Sequence, residues 1–250
     1  MKKTFKLLAA IVAVVMVCSM VGCGGASKGG DDKLVMATNA TFPPYEFYEG
    51  EKIVGIDAEI AGIIAEKLGM TLEIQDTEFG SIIAGVQTGK YDIGMAGMTV
   101  TDERLQSVNF STTYATGVQS IIVPAGSDIK SVEDLDGKKI GVQQDTTGHI
   151  YASDDYGDEN VTPFNKGTDA VAALTSGKVD CVIIDNEPAK SYIAANEGLE
   201  ILDTEYVTED YAICVAKENT ELLDKINKAL EELIADGTVQ KIIDKYISAE

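Results

Sequence analysis

An α/β fold with a mainly parallel sheet, built twice in succession, is what this sequence predicts. Short apolar strands alternate with segments whose apolar residues recur at helical spacing, and that alternation is the mark of strand–helix–strand units. The series runs once before and once after a break at Pro124-Ala125-Gly126-Ser127, giving two α/β blocks of similar make-up. The stretch 92–104, DIGMAGMTVTDER, starts as a buried strand and opens into a polar loop. In open α/β sheets such strand ends are where ligands bind.

In chain order, residues 33–38 (KLVMAT) form the first strand. They lead into 39–47, where Pro43 and Pro44 forbid helix and hold an aromatic-rich loop extended. Residues 54–56 return to the sheet. Asp57 then caps a helix with Ile60, Ile63, Ile64 and Leu68 on one face, closed by Gly69. Residues 71–75 are a strand, Phe79-Gly80 opens a helix carrying Ile82, Ile83 and Val86, and 91–96 are the next strand. Beyond it, Thr101 caps a short helix that carries Arg104. A strand at 116–123 precedes the break, and in the second block strands are expected at 139–142, 161–164 and 179–184. Helices are expected at 131–135, around 149–156, at 168–175 and, after a loop over 185–188, up to Ala195. The chain ends with an apolar strand at 211–216 and a helix over 222–246, interrupted at Gly237.

Twenty Lys and Arg stand against 41 Asp and Glu, a net charge of −21. So acidic a chain does not suit nucleic-acid backbones or anionic lipid surfaces as partners. The amino terminus differs from the rest. Lys2, Lys3 and Lys6 precede an apolar run over 7–20 that is too short and wrongly flanked for a stable transmembrane span, so residues 1–22 read as a secretory signal peptide. Val21-Gly22-Cys23 resembles a bacterial lipobox, with Cys23 as the lipidated first mature residue. Residues 23–32 then form a Gly-rich tether. The protein is therefore expected outside the cytoplasm, anchored to the cell membrane through Cys23. Cys181 and Cys214 sit inside apolar runs and are expected as buried strand thiols. His149, the one histidine, has no partners at metal-binding spacing and is expected to be exposed on a helix. No nucleophile elbow, phosphate loop or calcium loop occurs. Neither a catalytic residue, a metal nor a cofactor is assigned.

Gly97, Thr99 and Arg104 together have the makings of a carboxylate clamp. Backbone N–H groups and a hydroxyl can take one oxygen while the guanidinium pairs with both. Asp185 ends the apolar run Val182-Ile183-Ile184, where a buried carboxylate needs either a cation or a helix N-terminus to cap. Thr146 and Thr147 precede a helix, where free N–H groups favour an anion, although a plain helix cap accounts for one of them equally well.

Four segments in order, ATNATFPPYEF, YDIGMAGMTVTDER, IGVQQDTTG and GKVDCVIIDNEPA, resemble the extracytoplasmic amino-acid-binding proteins of bacterial ABC importers. The resemblance covers about residues 33–246 and is to the lysine/arginine/ornithine-, histidine- and glutamine-binding branch. It implies a type II periplasmic-binding-protein fold: two α/β lobes joined by two crossing hinge strands, with the ligand cleft between them. Lobe 1 would be 33–117 plus 213–250, and lobe 2 would be 118–212. By the same resemblance Arg104, Thr99 and Thr147, with Thr146, bind the ligand carboxylate. Gly97 and Asp185 bind its ammonium, and Phe42 and Phe79 bracket its side chain. Asn39 stands where basic-ligand members carry an acid, Glu46 could supply that charge or face solvent, and Met98 is placed in the site with its neighbours.

The function implied is non-enzymatic: a monomeric receptor that binds one free L-amino acid, arginine, lysine, histidine, glutamine or cystine, and delivers it to ABC permease subunits. Two alternatives use the same fold. One is a periplasmic cyclohexadienyl or arogenate-type dehydratase, which would need a cleft acid placed as general acid. The other is an amino-acid-sensing module for a receptor kinase.

Overall fold

The computed structural model of the protein describes residues 32–203 and 206–247. The expected signal peptide, residues 1–22, and Cys23 lie outside these residues.

The first strand, β1 (Lys33–Thr38), has the expected bounds. The segment after it does not rejoin the main sheet. β2 (Thr41–Phe42), β3 (Glu46–Glu49) and β4 (Lys52–Val54) form a small antiparallel sheet of their own. Helix α1 (Ile56–Lys67) buries Ile60, Ala61, Ile64 and Ala65 and stops where Gly69 turns left-handed at φ 72°. Asp57 is not its cap. That position belongs to Gly55, and Asp57 lies in the first turn with its side chain fully buried. Next come β5 (Thr71–Asp76), α2 (Ile82–Gln87), the two-residue strand β6 (Ile93–Gly94), α3 (Asp102–Ser107) and β7 (Val108–Phe110).

The second block contains β8 (Ala115–Pro124), β9 (Ile140–Gln143), α4 (Thr147–Tyr156), β10 (Val161–Phe164), α5 (Gly167–Thr175), β11 (Cys181–Asp185), α6 (Asn186–Ala195) and β12 (Leu199–Ile201). The expected strand near 211–216 divides into β13 (Val207–Tyr211) and β14 (Cys214–Ala216), which join different sheets. Helices α7 (Thr220–Ala235) and α8 (Thr238–Tyr246) follow, separated by Gly237 at φ 77°.

Two main sheets result. One runs β5-β1-β6-β14-β7, parallel over its first three strands and antiparallel at β14 and β7. The other runs β10-β9-β11-β8-β12, parallel over β10, β9 and β11, with β8 antiparallel and β13 paired to it. The chain passes from the first sheet to the second between Phe110 and Ala115, and returns between Tyr211 and Cys214. Over the crossing, β8 and β13 pair from Val207 opposite Gln119 to Tyr211 opposite Ala115. Side chains of Ala115, Gly117 and Gln119 therefore share a face with those of Val207, Glu209 and Tyr211, by the two-residue period of a strand. Asp185 of β11, opposite Gln119, joins that face.

Leu34, Met36, Ile60, Ile64, Ile93, Ile213 and Leu230 fill the core of the first lobe. Ile121, Ile140, Val142, Cys181 and Ile183 fill one side of the second sheet. Cys181 and Cys214 are buried free thiols, as their apolar neighbours imply. Leu230, fully buried on α7, gives a direct measure of this packing far from the cleft. Leu230→Ala should lower unfolding free energy in urea by about 2–5 kcal/mol.

Candidate functional site

A cavity lies between the lobes, with about 410 Å³ free of protein atoms in and around it, open solvent included. Its walls come from strand ends and the loops after them. The first lobe supplies Asn39, Phe42, Glu46, Phe79, Ala96, Gly97, Thr99 and Arg104. The second supplies Gln143, Thr146, Thr147, Ile184 and Asp185, and the crossing strands add Gln119 and Tyr211. Arg104 is the only basic residue among them.

Arg104 is reached by a short local route. Thr101 stands extended at the start of α3 and its hydroxyl accepts the Arg104 N–H at 3.1 Å, which turns the helix so that the guanidinium points inward. The guanidinium donates to the Thr99 carbonyl at 2.9 Å and, across the cleft, to the Asp145 carbonyl at 3.1 Å. It lies 5.2 Å over the Phe79 ring. Phe79 thus lines the cavity and also supports the arginine from beneath. Burial lowers the pKa of Arg104, and the Glu209 carboxylate is the largest effect opposing that.

The two threonines separate into different roles. The Thr146 hydroxyl caps α4, donating to the Gln143 carbonyl at 2.7 Å and accepting the His149 N–H at 3.3 Å. The Thr147 hydroxyl faces the cleft, 3.4 Å from that of Thr99 in the other lobe. His149 is half-buried in the first turn of α4 rather than fully exposed, and its Nδ1 accepts the Asp145 N–H at 3.2 Å.

Asp185 both caps a helix and faces the cleft. Its Oδ1 accepts the Glu187 N–H at 3.2 Å at the start of α6, and its Oδ2 accepts the Tyr211 hydroxyl. Gly117 leaves room for that pair, since a Cβ there would run into both the Tyr211 hydroxyl and Asp185 Oδ2. Gly97, at φ 51°, donates its N–H to the buried Asp57 at 2.9 Å, and its missing Cβ lets the Phe42 ring close against it. Asn39 is fully engaged. Its amide donates to the Thr77 carbonyl at 2.7 Å and its oxygen accepts from Gln143 of the other lobe at 3.0 Å.

The model of one protein family, described as bacterial extracellular solute-binding proteins, family 3, matches residues 34–249. The chain belongs to that family. It is 34% identical over 254 residues to the arginine-binding extracellular protein ArtP of Bacillus subtilis (strain 168), covering 98% of this chain and 99% of that protein. It is 29% identical over 228 residues to the ABC transporter arginine-binding protein 1 of Escherichia coli (strain K12), covering 89% and 93%. Among solved structures, an ancestral arginine-binding protein bound to glutamine superposes with a TM-score of 0.82 at 42% identity, over 87% of this chain and 98% of that one. The fold is that of the type II periplasmic binding proteins, and the protein is a solute-binding protein rather than an enzyme.

In this family-3 protein nine of the ten expected site residues line one cavity: Arg104, Asp185, Thr99, Gly97, Thr147, Thr146, Phe42, Phe79 and Asn39. Met98 does not. Its side chain is fully buried in the core with Ile82 and Val86. Glu46 does not face solvent; it is 1% exposed and lines the cavity. Gln119, Gln143 and Tyr211 were not singled out from the sequence. Strand pairing brings Gln119 and Tyr211 to the cleft, and neither lies in a polar loop that would mark it.

Burial pushes the Asp185 carboxyl up to about 7, against the Tyr211 hydroxyl and the Glu187 N–H, which hold it down. The folded value lies above that of the unfolded chain, so the folded, ligand-free protein binds this proton more tightly. The stabilisation is fully present below about pH 4 and is lost as pH rises through 7. Between those limits unfolding free energy should fall with rising pH by up to about 1.4 kcal/mol per unit more in the wild type than in Asp185→Asn, measured by urea titration.

Proposed function

We propose that this chain is the receptor of an amino-acid ABC importer and that it encloses a basic L-amino acid, arginine foremost, between its lobes. The observation that supports this is the charge layout of the cavity. One buried guanidinium, Arg104, shares the cavity wall with two buried carboxyls, Asp185 and Glu46. A ligand complementary to it carries one carboxylate, one ammonium near it, and a second cationic or strongly donating group at its far end.

In this reading Arg104 takes the α-carboxylate with the hydroxyls of Thr99 and Thr147. Asp185 and the Gly97 carbonyl take the α-ammonium, and Phe42 packs against the stem of the side chain. Asn39 fixes Gln143 at the distal end, and Glu46 supplies the negative charge there. Residues 33–117 plus 213–250 form one lobe, 118–212 the other, and the crossing strands are the hinge. Ligand and hinge act together because a solute touching both lobes favours the closed arrangement by its differential affinity for it. The names of the relatives support arginine, and the glutamine held by an arginine-binding ancestor supports an amide as a weaker alternative. Family membership places the protein outside the cytoplasm. We further propose that it acts as a monomer held at the membrane through a lipid on Cys23.

A thermal-shift screen of the protein against the common L-amino acids and cystine, followed by calorimetry, tests the reading. Arginine at 100 times its Kd should stabilise the fold by about 2.7 kcal/mol. Arg104→Ala should weaken binding by about 2–5 kcal/mol, because it leaves the ligand carboxylate buried without a partner. If no amino acid raises the melting temperature, the assignment is wrong.

A further inference from the structure

Beneath the distal end of the cavity two carboxyl groups meet. Glu46, at the start of β3, and Asp57, in the first turn of α1, are 1% and 0% exposed, and the Asp57 N–H donates to the Tyr45 carbonyl at 3.0 Å, which brings the two residues together. Asp57 Oδ2 accepts the Gly97 N–H at 2.9 Å, and the Tyr114 hydroxyl stands beside Asp57. Neither oxygen of Glu46 has a hydrogen-bond partner in the protein, and neither has Oδ1 of Asp57. Ionised carboxylates only accept, so two of them cannot bond to each other unless one carries a proton.

The surroundings provide no substitute for that proton. Asp76 from β5 and Asp185 from β11 add negative charge at Glu46, and Tyr45, Tyr114 and Tyr192 face the pair with phenols. Among the described residues the only basic side chain on this cavity is Arg104, whose strongest carboxylate partner is Glu209. Like charges at this separation do not both ionise in a buried site.

We propose that in the empty cleft Glu46 and Asp57 share one proton, held on Glu46, and that a ligand with a cationic side chain displaces it to solvent while a neutral isostere leaves it in place. The cation keeps all of its own protons, and one H⁺ passes to the buffer. Asp57 stays the anion because the Gly97 N–H already serves it, whereas Glu46 has no donor of its own and opens onto the cavity. In support, burial first and the Asp57 charge second push the Glu46 carboxyl well above the usual range. The pH therefore sets the choice between charged and uncharged side chains: low pH favours the neutral ligand and high pH the cationic one. This rests on the amino-acid reading of the cavity.

The test is calorimetry of the wild-type protein with L-arginine and with L-citrulline, its uncharged isostere, at several pH values between 6 and 8. Each titration is run in two buffers of different ionisation enthalpy, so that protons released are counted. Both ligands place an ammonium on Asp185, so any proton it loses cancels in the comparison. Arginine should release about one proton more than citrulline at neutral pH. Its affinity relative to citrulline should rise by up to about tenfold per pH unit. Equal proton release with a constant affinity ratio overturns the proposal and leaves the receptor reading standing, whereas citrulline binding without arginine binding overturns both the proposal and the basic-ligand assignment. If only arginine binds, its release is compared with that of Glu46→Gln: about one proton more in the wild type supports the proposal, and equal release overturns it. If neither binds, the amino-acid reading falls and takes the proposal with it.

Discussion

Arg104 is buried in a cleft it shares with two buried carboxyl groups, Asp185 and Glu46, and much of the site follows from keeping that guanidinium charged and aimed. Removing a guanidinium from water is costly unless its donors are met. Here the Thr99 carbonyl meets one, the Asp145 carbonyl meets another, and the Phe79 ring lies against the flat face. Two of these come from the lobe that carries the arginine and one from the opposite lobe. The same group therefore orients the site and contributes to bringing its two halves together.

The bonds that cross the cleft repeat that pattern. Gln143 donates to Asn39, the Thr147 and Thr99 hydroxyls lie 3.4 Å apart, and Tyr192 donates to the Thr41 carbonyl at 2.6 Å. Each is a single hydrogen bond, with a net worth of about 1 kcal/mol. On the proposed reading these contacts are set against re-solvating the same groups in an open cleft, and a ligand with charged partners on both sides shifts the balance toward closure. The residues that close the cleft are largely those that line it, so recognition and closure draw on one set of groups.

How much of this was legible in the sequence depended on whether a feature is local. Periodicity located β1, β5, α5 and β10 to within about a residue, because each has its own apolar residues with turn residues beside them. Arg104, Thr99 and Asp185 were legible for the same reason: each stands where an apolar strand gives way to polar residues. What pairing decides was not legible. The split of 211–216 between two sheets depends on which strands β13 and β14 meet, and no residue in that run announces it. Gln119 reaches the cleft because it lies opposite Asp185, a neighbour 66 positions along the chain. Thr146 and Thr147 were alike until the helix began, and its first residue made one a cap and left the other free.

Asp57 shows the deeper limit. At the start of a helix an aspartate usually caps, and the sequence around it contains nothing against that role. The structure turns it inward instead, onto the N–H of Gly97, a residue of the strand end from which the carboxylate clamp is built. That bond anchors the Gly97 turn, which has a left-handed φ and lines the cavity. It also puts a second buried carboxyl beside Glu46. One helix residue thus touches both Gly97 and the surroundings of Glu46. On the proposed reading, recognition of the side chain and of the amino-acid head would be coupled through this single buried carboxylate, whose neighbours come from α1, β3 and the loop after β6.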